Sequence, residues 1–168
     1  GSDLGHGAML DTTCEFDLAT GGVTGDLDLP TNSEVVTDVR GGQVLARSAQ
    51  GVHVLEHLTW NPENDMPLAG VVDAAFGPNG PVALQRSGDD CLIHGLDATP
   101  TAVGACTLDA DLLVDDVSSR AWIADRGTLS EVTADGLVEV ASADLATFDR
   151  ANRSLIVATG GDVTKLRL

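Results

Sequence analysis

The sequence predicts an all-β protein, and three observations lead to this prediction. Glycine is frequent, with 19 residues in 168, whereas the chain contains three Phe, two Trp and no Tyr. The apolar runs of Val, Leu and Ala are short, and Gly, Asn, Asp or Pro closes each run, as is typical of strands joined by tight turns. The same pattern then recurs along most of the chain, which indicates an internally repeated fold.

Four segments begin with the same strand–turn–strand pattern. Their second strands start at Gln43, Pro81, Ala121 and Ser154, so the repeats are 38, 40 and 33 residues long. A third strand follows in each segment, and a fourth in two of them. Four short strands in about 40 residues is the pattern of a propeller blade, whose faces must be buried against neighbouring blades. The sequence therefore predicts a β-propeller of about four four-stranded blades, with a fragment of a larger propeller or a β-sandwich as alternatives.

The repeats also predict how the chain is divided. We expect residues 1–13 to be a flexible leader that includes a tag remnant, and residues 14–168 to form the propeller domain. We expect the strand within 23–29 to complete the last blade, because pairing strands from the two ends would remove an exposed sheet edge. The expected blades are 33–70, 71–110, 111–143 and 144–168 completed by 14–30.

The segment CEFDLATGGVTGDLDLP, residues 14–30, carries a family resemblance. Its turn, DLATGGV, and its exit, LDLP, resemble the hairpin of third and fourth strands in bacterial propeller repeats of the YVTN and quinoprotein-like type. The resemblance covers one hairpin closely and the remaining units loosely. It implies a bacterial propeller repeat protein.

Cys91 and Cys106 are predicted to form a disulfide. Cys91 lies on a third strand, and Cys106 lies on the fourth strand of the same unit. A four-residue connection at 97–100 would pair residue i with residue 197 minus i, so the two cysteines would be opposite each other at a separation that suits a disulfide. The alternative is two small hydrophobic residues on one sheet face. A disulfide implies an oxidising compartment, so we expect an extracellular, periplasmic or cell-surface location in a bacterium.

The charge of the chain limits its partners. It has 26 acidic and nine basic residues and a formal net charge of -17. Residues 1–119 contain 19 acids and three bases, whereas 120–168 contain seven acids and six bases. Such a surface repels nucleic acid and anionic membranes, and no apolar run approaches the roughly 18 residues of a membrane span. We therefore expect a protein partner, no nucleic acid, no membrane insertion by this segment, and a monomer or homodimer.

Repeated aspartates form the first candidate site. Asp38, Asp116 and Asp149 each lie six residues before an apolar residue of a second strand. An aspartate at this place usually caps the following turn by accepting backbone hydrogen bonds. The alternative is a ring of carboxylates at one mouth of the central channel, joined by Asp115, that could hold Ca²⁺. Ca²⁺ is the cofactor that this pattern suggests.

The segment around Trp60 forms the second candidate site. Trp60 precedes the loop NPEND, which supplies Glu63 and Asp65, and an exposed indole beside acidic residues is a predicted partner-binding site. His53 and His57 lie four residues apart on a predicted strand. They would be about 13 Å apart, too far to share one metal ion, so we expect two exposed histidines.

The motif content of the sequence favours a binding function. The sequence contains no P-loop, GxGxxG or GxSxG motif, and no Ser/His/Asp set stands out. We therefore expect an exported, non-catalytic binding or scaffold module for a protein partner, assisted by Ca²⁺. One alternative is a structural module of a larger surface protein. Another is a lactonase-like or quinoprotein-like propeller enzyme fragment with carboxylates at the channel mouth, at Asp38, Asp73, Asp116 and Asp149.

Overall fold

The protein is built almost entirely from β-strands. A computed structural model describes residues 4–9, 12–17, 23–26, 33–40, 43–56, 59–96 and 99–167. These ranges contain 19 strands and one 3-10 turn, Pro62–Asn64, and none of their residues lies in a helix long and apolar enough to cross a membrane. The predicted all-β class is confirmed. The chain divides into two compact units, Gly1–Val71 and Val72–Leu168.

The first unit contains two sheets. Three strands in serial order form one sheet: β1 (Leu4–Met9), β2 (Thr12–Asp17) and β3 (Val23–Asp26). Five strands form the other: β4 (Glu34–Arg40), β5 (Gln43–Ser48), β6 (Gly51–Glu56), β7 (Thr59–Trp60) and β8 (Met66–Pro67). The order is β4–β5–β6–β7, and β8 also pairs with β6. Val44, Ala46 and Leu55 are buried together in this sheet, and Trp60 packs against them.

The first sheet bears on two expectations. Residues Leu4–Met9, expected to lie in a flexible leader, pair with β2 along their whole length. Residues Val23–Asp26, expected to complete the last blade, pair with β2 over Cys14–Phe16. Strands that follow one another in sequence usually pair, because the loop that joins them is short and its closure costs little entropy. Closure of a ring by segment 14–30 therefore stays a prediction.

The second unit contains three sheets, each with its strands in serial order. The first has β9 (Val71–Gly77), β10 (Gly80–Ser87), β11 (Asp90–His94) and β12 (Thr101–Ala105). The second has β13 (Asp111–Val114), β14 (Ala121–Asp125), β15 (Thr128–Thr133) and β16 (Gly136–Ser142). The third has β17 (Leu145–Asp149), β18 (Ser154–Thr159) and β19 (Asp162–Arg167). Serial antiparallel strands of this length are the arrangement of a propeller blade.

Strand β14, in the middle sheet of the second unit, is buried on both of its faces. Side chains alternate between the faces of a strand, so neighbouring residues of β14 enter different cores. Ala121 and Ile123 join the core shared with sheet β9–β12. Trp122 joins the core shared with sheet β17–β19, where its fully buried ring stacks on Phe148 with 5.9 Å between ring centroids. The middle sheet therefore links its two neighbours through opposite faces.

The second unit contains the predicted disulfide between Cys91 and Cys106, whose Cα atoms are 5.8 Å apart. The predicted register is wrong, because Ile93 already pairs with Thr101 at the start of the hairpin, whereas the prediction placed Gly104 opposite Ile93. A bulge between Cys91 and Leu92 then shifts the pairing by one residue, and Gly104 lies opposite Cys91. Cys106 lies two residues beyond Gly104, and residues two apart on a strand point to the same face. Both cysteines are buried in the core of their sheet.

Reduction of the disulfide is expected to lower the free energy of unfolding by about 3 kcal/mol, because a bridge over a loop of this length restricts the unfolded chain. The two cysteines are 15 residues apart in sequence. Urea unfolding with and without dithiothreitol measures the effect, and the Cys106→Ala variant, which has no bridge, should not respond to the reductant. Equal midpoints for oxidised and reduced wild type would contradict this prediction.

Replacing Trp122 by Ala is expected to lower the free energy of unfolding by about 3–5 kcal/mol, because the substitution leaves a cavity between two sheets. Urea unfolding provides the measurement. Leu108→Ala is the control, since Leu108 is 67% exposed and a surface substitution usually changes stability by less than about 0.5 kcal/mol. The prediction fails if the two variants lose similar stability.

Candidate functional site

A pocket lined by basic side chains lies within the second unit. Its cavity has a volume of about 570 Å³ and is lined by Ser118, Arg120, Asn152, Arg153, Lys165 and Arg167; we call it the cationic pocket. Ser118 and Arg120 belong to the turn between β13 and β14, and Asn152 and Arg153 belong to the turn between β17 and β18. The pocket therefore combines two hairpin turns with the end of β19.

Asp115 holds the two turns together. It is only 1% exposed, and its carboxylate accepts hydrogen bonds from the Val117 amide at 3.0 Å, the Ser118 hydroxyl at 2.5 Å and Arg153 Nη2 at 2.6 Å. Burial alone would raise the pKa of Asp115, but the bonds from Arg153, Ser118 and Val117 outweigh it and lower the pKa to about 2. Arg153 has a φ of 47°, a left-handed conformation that costs a non-glycine residue roughly 1–2 kcal/mol, and its ion pair offsets that cost.

Arg120 is fixed from two sides. Its Nε donates to Glu131 Oε1 at 2.8 Å, and its guanidinium carbon lies 5.1 Å from the centroid of the Trp122 ring, within the range of a cation–π contact. The hydrogen bond to Glu131 raises the pKa of Arg120 above its ordinary value. The guanidinium therefore remains charged and is oriented at the pocket before any ligand arrives.

Asp149 positions Asn152 and Lys165, which form another wall of the cationic pocket. It accepts hydrogen bonds from the backbone and side-chain amides of Asn152 at 3.2 and 2.7 Å, and from Lys165 Nζ at 3.3 Å. The hydrogen bonds from Asn152, together with Lys165, hold the pKa of Asp149 below its ordinary value. The four cationic side chains that line the pocket are thus matched by three carboxylates, those of Asp115, Glu131 and Asp149. The pocket keeps one positive charge in excess, although the chain as a whole has a net charge of -17.

The repeated aspartates serve these cations and turns. Asp115 is bonded across its hairpin to Arg120, five residues later, because its amide donates to the Arg120 carbonyl at 2.9 Å. Asp149 is likewise paired across its hairpin with Ser154, five residues later. Asp115 rather than Asp116 is therefore the counterpart of Asp149, and Asp115 and Asp149 both make the predicted bond to a turn amide.

No calcium ligand set is formed by the described side chains, among which no three or more acidic, histidine or cysteine residues cluster. Asp116 lies 3.8 Å from Arg150 Nε, and Asp115 and Asp149 are paired with cations. The side chain of Asp38 lies outside the described part of the structure. Calcium binding by Asp38, Asp115, Asp116 and Asp149 stays a prediction.

A second polar cluster lies in the first unit. His53 is 3% exposed, so the expectation that it is exposed is wrong; His57 lies outside the described residues. His53 Nδ1 is 2.7 Å from Asp65 Oδ2, and His53 Nε2 is 2.7 Å from Ser48 Oγ. Trp60 Nε1 donates to the same carboxylate at 3.0 Å. A buried imidazole must satisfy both of its nitrogens, and these partners do so.

The predicted partner-binding residues therefore have different surroundings. Trp60 and Asp65 bond to each other beside His53, where the indole packs edge-on against the imidazole with 5.7 Å between ring centroids. Glu63 is exposed in the 3-10 turn, whose start is capped by Asn61 accepting from the Glu63 amide at 3.1 Å. Partner binding by these residues remains a prediction.

No protein-family model matches the sequence, and no curated protein matches it. Several solved structures, however, are similar to this chain in fold. Hydrazine synthase from Kuenenia stuttgartiensis superposes with a TM-score of 0.56 at 12% identity, over 97% of this chain and 66% of that one. Virginiamycin B lyase from Staphylococcus aureus superposes with a TM-score of 0.51 at 15% identity, over 94% and 63%. The extracellular domain of one component system BT4673 from B. thetaiotaomicron gives 0.56 at 11% identity, over 98% and 25%.

These similarities decide the fold. The protein has a β-propeller fold. The propeller prediction is confirmed, and the resemblance to bacterial propeller repeats is supported by structure but not by a sequence match. The chain spans 25–66% of the length of the three structures named above, and at 11–15% identity the similarity extends to the fold alone.

The free energy of unfolding is expected to fall as the pH is lowered from about 4 to about 2, because ionised Asp115 stabilises the folded state. Its pKa of about 2 in the folded state lies below its ordinary 3.8. The stabilisation is complete above about pH 4 and is lost as the carboxylate takes up a proton toward pH 2, a difference of roughly 2 kcal/mol. Urea unfolding across this range should show a shallower pH dependence for Asp115→Asn than for wild type. Asp109→Asn, at an exposed carboxylate, should behave as wild type; equal slopes for all three proteins would contradict the assignment.

Proposed function

We propose that this protein is exported and that its second unit is a binding module whose cationic pocket receives an acidic segment of a protein partner. One observation carries the proposal: four of the nine basic side chains of a strongly acidic chain gather around a single pocket. Guanidinium groups bind carboxylates through paired, charge-assisted hydrogen bonds, so acidic side chains are the ligands that this lining suits.

The fixed geometry of the pocket supports tight binding. Arg153 is tied to Asp115 and Arg120 to Glu131, so neither side chain must be immobilised when a partner arrives. Ordering a long, flexible side chain costs an interface roughly 0.5–1.5 kcal/mol, and this cost is largely met in the free protein. Lys165 and Arg167 remain exposed for direct contact.

The face of β19 next to the cationic pocket indicates which kind of acidic segment would bind there. Val163, Lys165 and Arg167 share one face of β19, because alternate residues of a strand point the same way. Leu145 belongs to that face through the pairs Leu145–Ala158 and Ala158–Val163. Leu145 and Val163 are 63% and 72% exposed, so a segment that carries acidic residues next to apolar ones complements this face.

Export is part of the proposal. The disulfide Cys91–Cys106 supports an oxidising compartment, and one solved structure with the same fold is an extracellular domain. The alternative of an enzyme that uses carboxylates at a channel mouth has less support. Asp73 accepts a hydrogen bond from the Leu112 amide at 2.7 Å and so ties two sheets together, and Asp116 and Asp149 lie beside basic side chains.

Reversing two charges of the pocket tests the proposal. The double variant Lys165→Glu/Arg167→Glu is expected to weaken binding of a glutamate- and leucine-containing peptide at least tenfold, because two attractive contacts become repulsive. Fluorescence anisotropy of the labelled peptide measures the dissociation constant. Binding to wild type should also weaken as sodium chloride rises from about 0.05 to 0.5 M, since exposed charges are screened.

A charge reversal elsewhere supplies the matched control. Arg126 has a 67% exposed side chain and does not line the pocket, so Arg126→Glu should bind the peptide nearly as wild type does. An equal loss of affinity in both variants would show that net charge, not the pocket, attracts the peptide. Absence of peptide binding to wild type would remove the proposal.

A further inference from the structure

Ser48, His53 and Asp65 form a continuous chain of hydrogen bonds in the first unit. Ser48 Oγ lies 2.7 Å from His53 Nε2, and His53 Nδ1 lies 2.7 Å from Asp65 Oδ2. A hydroxyl, an imidazole and a carboxylate joined in this order at these distances are the parts of an activated nucleophile. We propose that Ser48 is the nucleophile of a hydrolytic site for small, uncharged carboxylic esters, with His53 as its base and Asp65 as the residue that positions His53.

The surrounding donors fix the direction of each hydrogen bond. Trp60 Nε1 donates to both Asp65 oxygens at 3.0 and 3.1 Å, and as a carboxylate Asp65 can only accept, so the proton between Asp65 and His53 sits on Nδ1. The Nε2 lone pair then faces Ser48, and the hydroxyl donates to it. The Gln50 amide donates to Ser48 Oγ at 3.0 Å, which leaves the hydroxyl proton of Ser48 for His53.

The fold holds these groups rigidly while leaving Ser48 accessible. His53 is 3% exposed in the middle of β6, where its ring is locked between its two partners and Trp60. Ser48 is half-buried at the end of β5, next to the two-residue turn that leads into β6. A nucleophile at a strand end beside a buried base combines fixed geometry with solvent access, as a reactive serine requires.

A cavity lined by two members of the chain of hydrogen bonds, His53 and Asp65, defines the substrate class, and Ser48 adjoins it through its bond to His53. Its volume is about 310 Å³, and its lining is Gln50, His53, Pro62, Asp65, Met66 and Pro67. This size matches the smaller end of small-molecule pockets. Pro62, Met66 and Pro67 give it apolar walls. Its described lining holds the Asp65 carboxylate and no Lys or Arg to neutralise an anionic ligand, so a short uncharged acyl group fits better than an acid.

The reaction consumes one water molecule per ester. Ser48 Oγ bonds to the ester carbonyl carbon while its proton passes to His53 Nε2, and the alcohol leaves with that proton as the original C–O bond breaks. Water then attacks the acyl group on Ser48 and gives a proton to His53, and the carboxylic acid leaves as the proton returns to Ser48 Oγ. Ester and water thus become acid and alcohol, and the protein is regenerated.

A fluorophosphonate probe tests the proposal in the intact wild-type chain, because such probes react with activated serines. Peptide mass spectrometry should find the adduct on Ser48 and not on Ser87. Ser87 is the matched internal control, because it ends β10 as Ser48 ends β5, and Leu92 stands where His53 stands in β6. A role confined to holding the loop would leave Ser48 no more reactive than Ser87, and that result would overturn the proposal.

Variants supply the second readout. Ser48→Ala should abolish labelling and the hydrolysis of p-nitrophenyl acetate, whereas Ser87→Ala should keep both. His53→Gln should slow labelling of Ser48 about 100-fold, the usual size of a general-base contribution, while circular dichroism verifies the fold. Undiminished labelling in folded His53→Gln would overturn the proposal. The site belongs to the first unit, so its failure would leave the binding function proposed for the second unit intact.

Discussion

The second unit depends on covering both faces of a flat sheet. Sheet β13–β16 meets this constraint with Ala121 and Ile123 on one face and Trp122 on the other, so two cores are joined through adjacent residues of one strand. Charged groups are kept out of the middle of such a stack, because burying an unpaired charge is costly; the indole N–H of Trp122 is a polar group buried there without a hydrogen-bond partner among the described residues. Charged residues are therefore confined to the hairpin ends and outer faces, and the cationic pocket forms at such an end.

The fold class could be predicted from sequence because its signals are local. Short apolar runs and turn residues recur with the repeat, and each reports on a few neighbouring positions. Register could not be predicted with the same success. The connection between β11 and β12 set a different pairing from the one expected, with Ile93 opposite Thr101, and the counterpart of Asp149 proved to be Asp115, one position from the expected Asp116. Both errors are small shifts of alignment that leave the composition unchanged.

The candidate sites were harder to predict, because their members are distant in sequence. The excess of basic residues after position 119 was visible, but their gathering at one pocket depends on Asp115 reaching Arg153, 38 residues away. His53 was expected to be exposed, since a histidine on an alternating strand gives no sign of its face. Its burial depends on Asp65, supplied by a loop that the sequence marks only as irregular. Long-range polar pairs of this kind leave no periodic signal.

The position of the disulfide has a consequence for how the second unit opens. Strand β12 is the outermost strand of its sheet, and outer strands normally fray first, exposing their amides to exchange with solvent. The bond from Cys91 to Cys106 anchors the far end of β12, so this edge cannot peel away while the sulfurs stay joined. Strand β16, the outermost strand of the next sheet, contains no cysteine and carries exposed Val138 and Val140. Two edge strands of similar topology thus differ in their resistance to local opening, and the weaker one belongs to the sheet whose β13–β14 turn contributes Ser118 and Arg120 to the cationic pocket.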